Sequence, residues 1–259
     1  MLLAIDIGNS NVVIGVHHHQ KWTSTWRLPT HMSENPVAFY QDRISNLFLE
    51  QGLLHQPVRQ IVISSVVPSL TVVIKDLVAQ LFAQDPILLG PELYEHLHLK
   101  VERKEQLGTD LYANAMAAHH LYQKDCIIVD FGTALTFTIV DQSGALLGVN
   151  IAPGLKTAIH ALFLNTAQLP EVPLVYPESA VGKNTTHAIQ SGILIGYVGL
   201  VKYMLAEIRK ELGDSFVAIG TGGLVHILSP LQESFHAINP NLTLEGLRII
   251  GEKVAEQVK

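Results

Sequence analysis

Apolar and polar positions along this chain follow two periods, and Gly, Pro or Asn marks most places where one gives way to the other. Leu2 to Ile7 and Val12 to His17 read as the arms of a hairpin, and Trp22 to Arg27 as a third antiparallel strand. His17-His18-His19 falls in the turn between them. Neighbouring side chains there point in different directions, which predicts a solvated turn rather than a metal site. Helical spacing of Val37, Tyr40, Ile44, Leu47 and Phe48 predicts a helix from Asn35 or Pro36 to Gln51, ended by Gly52. Ile61 to Val67 is a short buried strand, Pro68 and Ser69 open a helix to about Phe82, and Pro86 to Leu89 forms another short strand. Tyr94 to Lys104 is irregular. An Ala-rich helix then runs from Leu111 to Tyr122, for which Thr109 or Asp110 is a candidate N-cap.

The same succession starts again at Cys126. Ile127 to Val140, a turn at Asp141 to Gly144, and Ala145 to Gly154 read as a strand followed by a hairpin. A helix follows from Leu155 to Gln168, then a loop from Leu169 to Pro177. In the long helix beyond Thr186, Ala188, Gly192 and Gly196 recur every fourth residue, a spacing that lets two backbones approach. Phe216 to Ile219 is a buried strand ending in Gly220-Thr221-Gly222-Gly223 before a short helix, and Leu242 to Val258 forms a last helix that closes this half. Laid over each other, Ile5-Asp6-Ile7-Gly8-Asn9-Ser10 and Val129-Asp130-Phe131-Gly132-Thr133-Ala134 match as apolar, Asp, apolar, Gly, small polar, small. One Asp-x-Gly is ordinary turn chemistry; two in matching contexts are an internal repeat. The repeat predicts an α/β chain of two similar domains, 1–124 and 125–259, facing each other across a cleft. At each turn the glycine leaves backbone N–H groups open to an oxyanion, Thr133 adds a hydroxyl, and the carboxylate holds a cation or orients water.

Composition narrows the classes. A chain of 259 residues, 48% hydrophobic and 15% charged, is long enough for a substantial core and is not of disordered type. The net charge of -6 and the lack of a basic block argue against a nucleic-acid partner. Cys126, the single cysteine, excludes an internal disulfide and reads as a buried strand residue in a reducing compartment. The N-terminus enters a strand without a basic n-region, and the run Gly192 to Val201 is about ten residues where a membrane span needs about twenty. A cytoplasmic protein without membrane contact is expected.

Three glycine-bearing turns after buried strands, two of them duplicated Asp-x-Gly hairpins, resemble the acetate kinase, sugar kinase, Hsp70 and actin superfamily. Within it the chain resembles type III pantothenate kinases over nearly its whole length. Asp6-Ile7-Gly8-Asn9-Ser10, Glu105-Gln106-Leu107-Gly108-Thr109-Asp110, Asp130-Phe131-Gly132-Thr133-Ala134, Ile151 to Leu155, Thr166 to Pro170, Gly182 to Thr185, Ala188 to Gly192 and Thr221-Gly222-Gly223 follow in family order. The resemblance implies two duplicated ribonuclease H-like, actin-like ATPase domains around a central cleft. It also implies ATP-dependent phosphorylation of pantothenate, the first step of coenzyme A synthesis, in a homodimer whose substrate site includes the partner subunit. Magnesium with ATP and a monovalent cation, potassium or ammonium, are the implied cofactors.

By position, the resemblance makes Asp110 the general base and Asp6 the magnesium carboxylate. Gly8, Asn9, Ser10, Asn11, Gly132 and Thr133 lie near the phosphates, and Gly222 and Gly223 by the adenine. Asp130 becomes the monovalent-cation ligand. Gly108, Thr109, Asp110, Leu111 and Val101 line the substrate, with Thr185 reaching it in the neighbouring subunit.

The departures cluster at the substrate. The family's Arg after the catalytic Asp, which grips the pantothenate carboxylate, is Leu111 here, and its upstream Tyr is Val101. Arg103 or Lys104, a few residues earlier, offers a replacement cation, or both are solvated loop charges. Two other functions fit the same departures: an ATP-binding homologue that regulates rather than catalyses, and a kinase for another small hydroxylated molecule without a carboxylate.

Overall fold

The structure, a computed structural model, describes residues 1–31, 35–53 and 56–257. In chain order the strands and helices are β1 (Leu2–Ile7), β2 (Asn11–His18), β3 (Lys21–Pro29), α1 (Pro36–Glu50), β4 (Gln60–Ser65), α2 (Pro68–Phe82), β5 (Ile87–Leu88), α3 (Pro91–Tyr94), α4 (Thr109–Tyr122), β6 (Cys126–Phe131), β7 (Ala134–Val140), β8 (Leu146–Pro153), α5 (Leu155–Asn165), α6 (Thr185–Gln190), α7 (Gly196–Leu212), β9 (Val217–Thr221), β10 (Ala237–Ile238) and α8 (Leu242–Gln257). Val258, where the sequence pattern ends the last helix, lies outside the described residues. Two compact units result: Met1–Ala117 with Thr243–Lys259, and Ala118–Leu242.

The repeat extends well beyond two turns. Each unit holds a five-stranded sheet, ordered β3-β2-β1-β4-β5 and β8-β7-β6-β9-β10, with three antiparallel strands followed by two parallel additions. Asp6 pairs with Ser64 on its parallel neighbour and with Val13 on its antiparallel one; Asp130 pairs with Thr221 and Thr136. The first hairpin is one residue longer, because Ile7 opposes Val12 whereas Phe131 opposes Leu135. A gapless overlay of the repeats therefore holds through Asp-x-Gly and slips by one beyond it.

In the first unit, strand alternation sends Leu3, Ile5 and Ile7 toward Tyr40, Ile44 and Phe48 of α1 and Ile74 of α2, all buried. The opposite face of the sheet carries Asp6 and Ser64. The final helix belongs to this unit and not to the second half, where the repeat alone had placed it. Trp22 Nε1 donates to Glu245 at 2.9 Å, Gln60 Nε2 donates to the Gly251 carbonyl at 2.6 Å, and Thr243 donates to Asn114 at 2.9 Å. Gly246 makes this packing possible, since a Cβ there would strike the Ala113 carbonyl.

In the second unit Ile127, Val129 and Phe131 pack with Leu135, Phe137 and Ile139 against Leu194, Val198, Val201 and Leu205 of the long helix. Thr185–Leu212 is 28 residues long and contains an 18-residue window of mean hydropathy 1.4, enough by length and composition to cross a membrane, but its apolar stripe is built into this core. A π-helical stretch, Ser191–Ile195, interrupts it. Other differences from the sequence pattern are local. β2 runs to His18, so the turn is His19-Gln20, with φ of 50° and 61°, the backbone of a two-residue primed turn built without glycine. A short helix, α3, forms just ahead of the stretch read as irregular and ends on its first residue, Tyr94, and the segment after Gly223 winds through turns into a 3-10 helix at Ser229–Ser234. Cys126 is fully buried, and burial, aided by Asp125, pushes its thiol up to about 12.

Candidate active site

In the first unit two chemistry-bearing segments are stitched together. β1 ends at Ile7 and the turn that follows is closed by Gly8 N–H donating to the Asn11 carbonyl at 2.9 Å, with Asn9 and Ser10 exposed at its tip. Thr30, at the end of β3, clamps this turn: its N–H donates to the Ser10 carbonyl at 3.0 Å and its hydroxyl to the Gly8 carbonyl at 2.6 Å. Asp6 is partly buried, and Oδ1 accepts from the Ser64 hydroxyl at 2.9 Å. Ser64 Oγ in turn stands 2.9 Å from Thr109 Oγ1, and Thr109 also accepts from the Ser65 N–H at 3.0 Å. Ser64 gives its proton to Asp6, and the single proton of Thr109 has two acceptors within reach, Ser64 Oγ and the Ser65 carbonyl at 3.1 Å. A hydroxyl chain thus runs from the first turn of α4 to the carboxylate at the end of β1.

This chain overturns the capping assignment. Helix α4 begins at Thr109, with the Gly108 carbonyl taking the first helical bond from Tyr112 N–H at 3.1 Å, so Gly108 occupies the cap and Thr109 turns its side chain to β4. Asp110 folds its Oδ1 back to accept the Leu111 N–H at 2.8 Å, and a Cβ on Gly108 would lie 2.5 Å from that oxygen. Burial pushes the Asp110 carboxyl above the usual carboxylate range, against the downward pull of the Leu111 N–H and of its own. Leu111 and Val101 are partly buried. Lys104 is held by Glu95 at 2.6 Å, whereas Arg103 is exposed and pairs with no acid among the described residues.

The second unit builds its turn on the same plan. Gly132 N–H donates to the Ala134 carbonyl at 3.1 Å, and the Thr133 carbonyl accepts from Gly154 N–H at 3.0 Å and from the Thr157 hydroxyl at 2.7 Å. Thr157 thus plays the part of Thr30. The glycine N–H groups expected to meet an oxyanion are used inside both turns, so ligand contact falls to the residues that follow them. Thr221-Gly222-Gly223 returns over Asp130: Gly222 has φ +93°, and a Cβ there would collide with Asp130 Oδ1 and the Phe131 N–H. Gly223 and Thr133 are exposed. Asp130, its cross-strand neighbours Thr136 and Thr221, and Thr138 form an oxygen-rich face, and the Thr136 and Thr138 hydroxyls are buried without a partner among the described residues. Such a donor set fits a hard cation. Among the described residues no three His, Cys, Asp or Glu side chains gather as a metal centre, and a magnesium ion at Asp6 would take its remaining ligands from nucleotide phosphates and water.

Thr185 opens the long helix, capped by Asn184, which accepts from His187 N–H at 2.9 Å. It is exposed and lines an apolar pocket of about 290 Å³ with Leu162, Leu169, Ile189 and Gly192. The small-residue stripe meets another backbone of this chain only at Ala188, against which Gly182 packs so closely that a Cβ on Gly182 would strike it; a Cβ at Gly192 or Gly196 would find nothing within 4 Å. Ser64, Thr30 and Thr157 were not singled out from the sequence. The pair Ser64-Ser65 at the end of an otherwise apolar strand is the one signal that pointed there.

The sequence profile of the family described as type III pantothenate kinase matches residues 2–207. Among solved structures the chain is similar to a Campylobacter jejuni protein described as a Baf family transcriptional activator, at 19% identity over 98% of this chain and 99% of that one, with a TM-score of 0.56. It is also similar to the ethanolamine utilization protein EutJ of Carboxydothermus hydrogenoformans, at 12% identity over 96% and 89% of the two chains, TM-score 0.57. A third is MreB 5 of Spiroplasma citri, at 9% identity over 99% and 97%, TM-score 0.56. At these identities the likeness concerns fold, and the fold is that of actin-like ATPases, with one such domain in each unit.

Proposed function

The chain belongs to the type III pantothenate kinase family, and from that premise we propose that it phosphorylates the hydroxyl of pantothenate with ATP, giving 4'-phosphopantothenate at the entry to coenzyme A synthesis. The observation that carries the reading is the hydroxyl chain Asp6–Ser64–Thr109, which ties the carboxylate assigned to magnesium to the helix turn that presents Asp110. Phosphoryl transfer asks little covalent work of a protein, so positioning and charge compensation dominate. Asp110 accepts the proton of the attacking hydroxyl, a role worth about 10²- to 10⁴-fold. Its raised pKa brings it closer to the operating pH, where a general base is most effective.

In the same reading Gly8, Asn9, Ser10 and Asn11 of one turn, and Gly132 and Thr133 of the other, lie along the phosphates, with Gly222 and Gly223 beside the adenine. Asp6 would hold magnesium and Asp130, with its threonine neighbours, the monovalent cation. Magnesium, when bound, offsets charge on the transferring phosphoryl group. Gly108, Thr109, Val101 and Leu111 border the acceptor. Thr185 serves the acceptor site of the other subunit of a homodimer; the open small-residue stripe and the exposed Phe163 and Leu164 support such a partner. A cytoplasmic location agrees with a long helix whose apolar stripe is a core element.

Leu111 and Val101 favour one second reading, a kinase for a small hydroxylated acceptor that lacks a carboxylate. Leucine offers a carboxylate nothing, and a lost charged hydrogen bond of about 1.5–3 kcal/mol weakens binding by about one to two orders of magnitude. ADP release by the purified protein with magnesium, potassium and ATP, with and without pantothenate and beside Asp110→Asn, decides between them. Pantothenate-dependent turnover that Asp110→Asn abolishes supports the first reading. ATP binding without such turnover shifts the choice to another acceptor or to a regulator.

A further inference from the structure

Thr30 makes two hydrogen bonds to the first glycine turn, its hydroxyl donating to the Gly8 carbonyl at 2.6 Å and its N–H to the Ser10 carbonyl at 3.0 Å. Both carbonyls are thereby drawn toward the end of β3. A trans peptide sets its N–H against its C=O, so the Asn9 N–H, which shares a plane with the Gly8 carbonyl, points away from Thr30. Carbonyl oxygens left loose at this turn would repel an anion, whereas the Asn9 N–H and the exposed Asn9 and Ser10 at the tip can donate to one. We propose that Thr30 is a positioning residue for nucleotide binding: it ties the Gly8 and Ser10 carbonyls back, so that the turn presents donors to the phosphates.

Thr30 is itself held from the core. The Tyr40 phenol of α1, at 0% exposure, donates to the Pro29 carbonyl at 3.2 Å and accepts from the His31 N–H at 2.9 Å, so one oxygen grips the residues on either side of Thr30. The His31 ring stacks on Phe39 of the same helix, with centroids 4.4 Å apart. Burial pushes the Tyr40 phenol above its ordinary value, against the downward pull of the His31 N–H, and the support stays neutral. The second unit meets the same need with other elements, since its Thr133 carbonyl is held by the Thr157 hydroxyl at 2.7 Å and by the Gly154 N–H at 3.0 Å. Thr30 follows a strand and Thr157 lies in helix α5, so the shared arrangement is not a by-product of matched elements. The role rests on placing the nucleotide phosphates along this turn, and its test reads binding without turnover.

Thr30→Val keeps the shape and the N–H and removes one hydroxyl. Calorimetric titration with ATP and magnesium should give a Kd about tenfold above wild type, and Thr30→Ser should return it to near the wild-type value. A residue that served stability alone would lower the Tm and leave that Kd in place. Tyr40→Phe should raise the Kd in the same direction, and the Thr30→Val/Tyr40→Phe double variant should show less than the product of the two shifts, because both act through one turn. An unchanged Kd in Thr30→Val, an equal rise in Thr30→Ser, or shifts that multiply in the double variant overturns the proposal. Should Thr30→Val fail to fold, Tyr40→Phe carries the test, and an unchanged Kd there overturns it. A wild type that binds ATP but leaves pantothenate unphosphorylated defeats the proposed acceptor, while the Kd series still decides the role of Thr30.

Discussion

Thr109 opens helix α4 but turns its hydroxyl to β4, 2.9 Å from Ser64 Oγ and 3.1 Å from the Ser65 carbonyl, and Ser64 hands its own proton to Asp6. Ser64→Ala removes the middle of this relay and leaves a carboxylate that has lost a hydrogen bond. Hydrogen bonds to charged groups contribute about 1.5–3 kcal/mol, and a loss of that order should appear in urea unfolding. Turnover should fall at least tenfold as Asp6 and the α4 turn lose register, whereas Ser64→Thr should retain most of it. Wild-type turnover in Ser64→Ala would remove the relay from the catalytic apparatus.

Asp110 makes opposite predictions for rate and stability. Burial raises its folded pKa above the unfolded value, so its contribution favours the folded state most below the unfolded pKa and is lost as pH rises through the folded one. Asp110→Asn removes the charge without changing shape. It should unfold at a higher temperature than wild type at neutral pH while losing 10²-fold or more in kcat, with nucleotide affinity intact. The same sign gives the rate profile: a base works only when deprotonated, so kcat/KM should fall on the acid side at a pH above the ordinary carboxylate range.

Hairpins and buried strands of this chain were legible because period-two alternation and Gly or Pro punctuation mark them locally. The duplicated Asp-x-Gly was legible for the same reason. What escaped depends on contacts distant in sequence. Nothing near Leu242 shows that α8 returns to the first sheet; Trp22, Gln60 and Ala113 decide it, at more than a hundred residues' remove. Ser64 reads as one more strand residue until its parallel pairing with Asp6 is known. His19-Gln20 adopts positive φ without glycine, so the residue types that announce a primed turn are missing.

Gly222 should tolerate no side chain. Its φ of +93° is unfavourable for any other residue, and a Cβ would strike both the Asp130 carboxylate and the Phe131 amide. Gly222→Ala should lower stability by more than about 1 kcal/mol and weaken nucleotide binding together, since the displaced atoms belong to the cation face and the turn. Gly192→Ala is the contrast, with nothing within 4 Å of the added carbon in the chain itself. Differential scanning fluorimetry with and without ATP reads both effects. Equal Tm and equal ATP response in the two variants would contradict the first expectation.

Acid should loosen the C-terminal helix from the first unit. Burial alone would push the Glu245 carboxyl up, but hydrogen bonds from Arg248 and Trp22 and the Arg248 charge outweigh it and hold the carboxyl below its usual value. A depressed folded pKa stabilises above the unfolded value, and that stability is lost as pH falls through the folded one. Glu245→Gln should therefore reduce stability near neutral pH and flatten the acid arm of the Tm-versus-pH curve below about pH 4.5, the ordinary glutamate range. A curve parallel to wild type would show that the ion pair contributes nothing.

Leu111 allows a gain-of-function test of the acceptor. If pantothenate is the substrate and its carboxylate lies by the first turn of α4, Leu111→Arg restores a charged donor where this chain has none. At about 1.5–3 kcal/mol for such a bond, the KM for pantothenate should fall about tenfold or more, with the KM for ATP unchanged. Lys104 is already engaged by Glu95, so Arg103 is the cation that would serve in the native chain, and Arg103→Ala should raise the same KM. In the Leu111→Arg background that dependence on Arg103 should shrink, because two cations would compete for one carboxylate. A KM for pantothenate that ignores both substitutions places the carboxylate elsewhere and favours an acceptor without one.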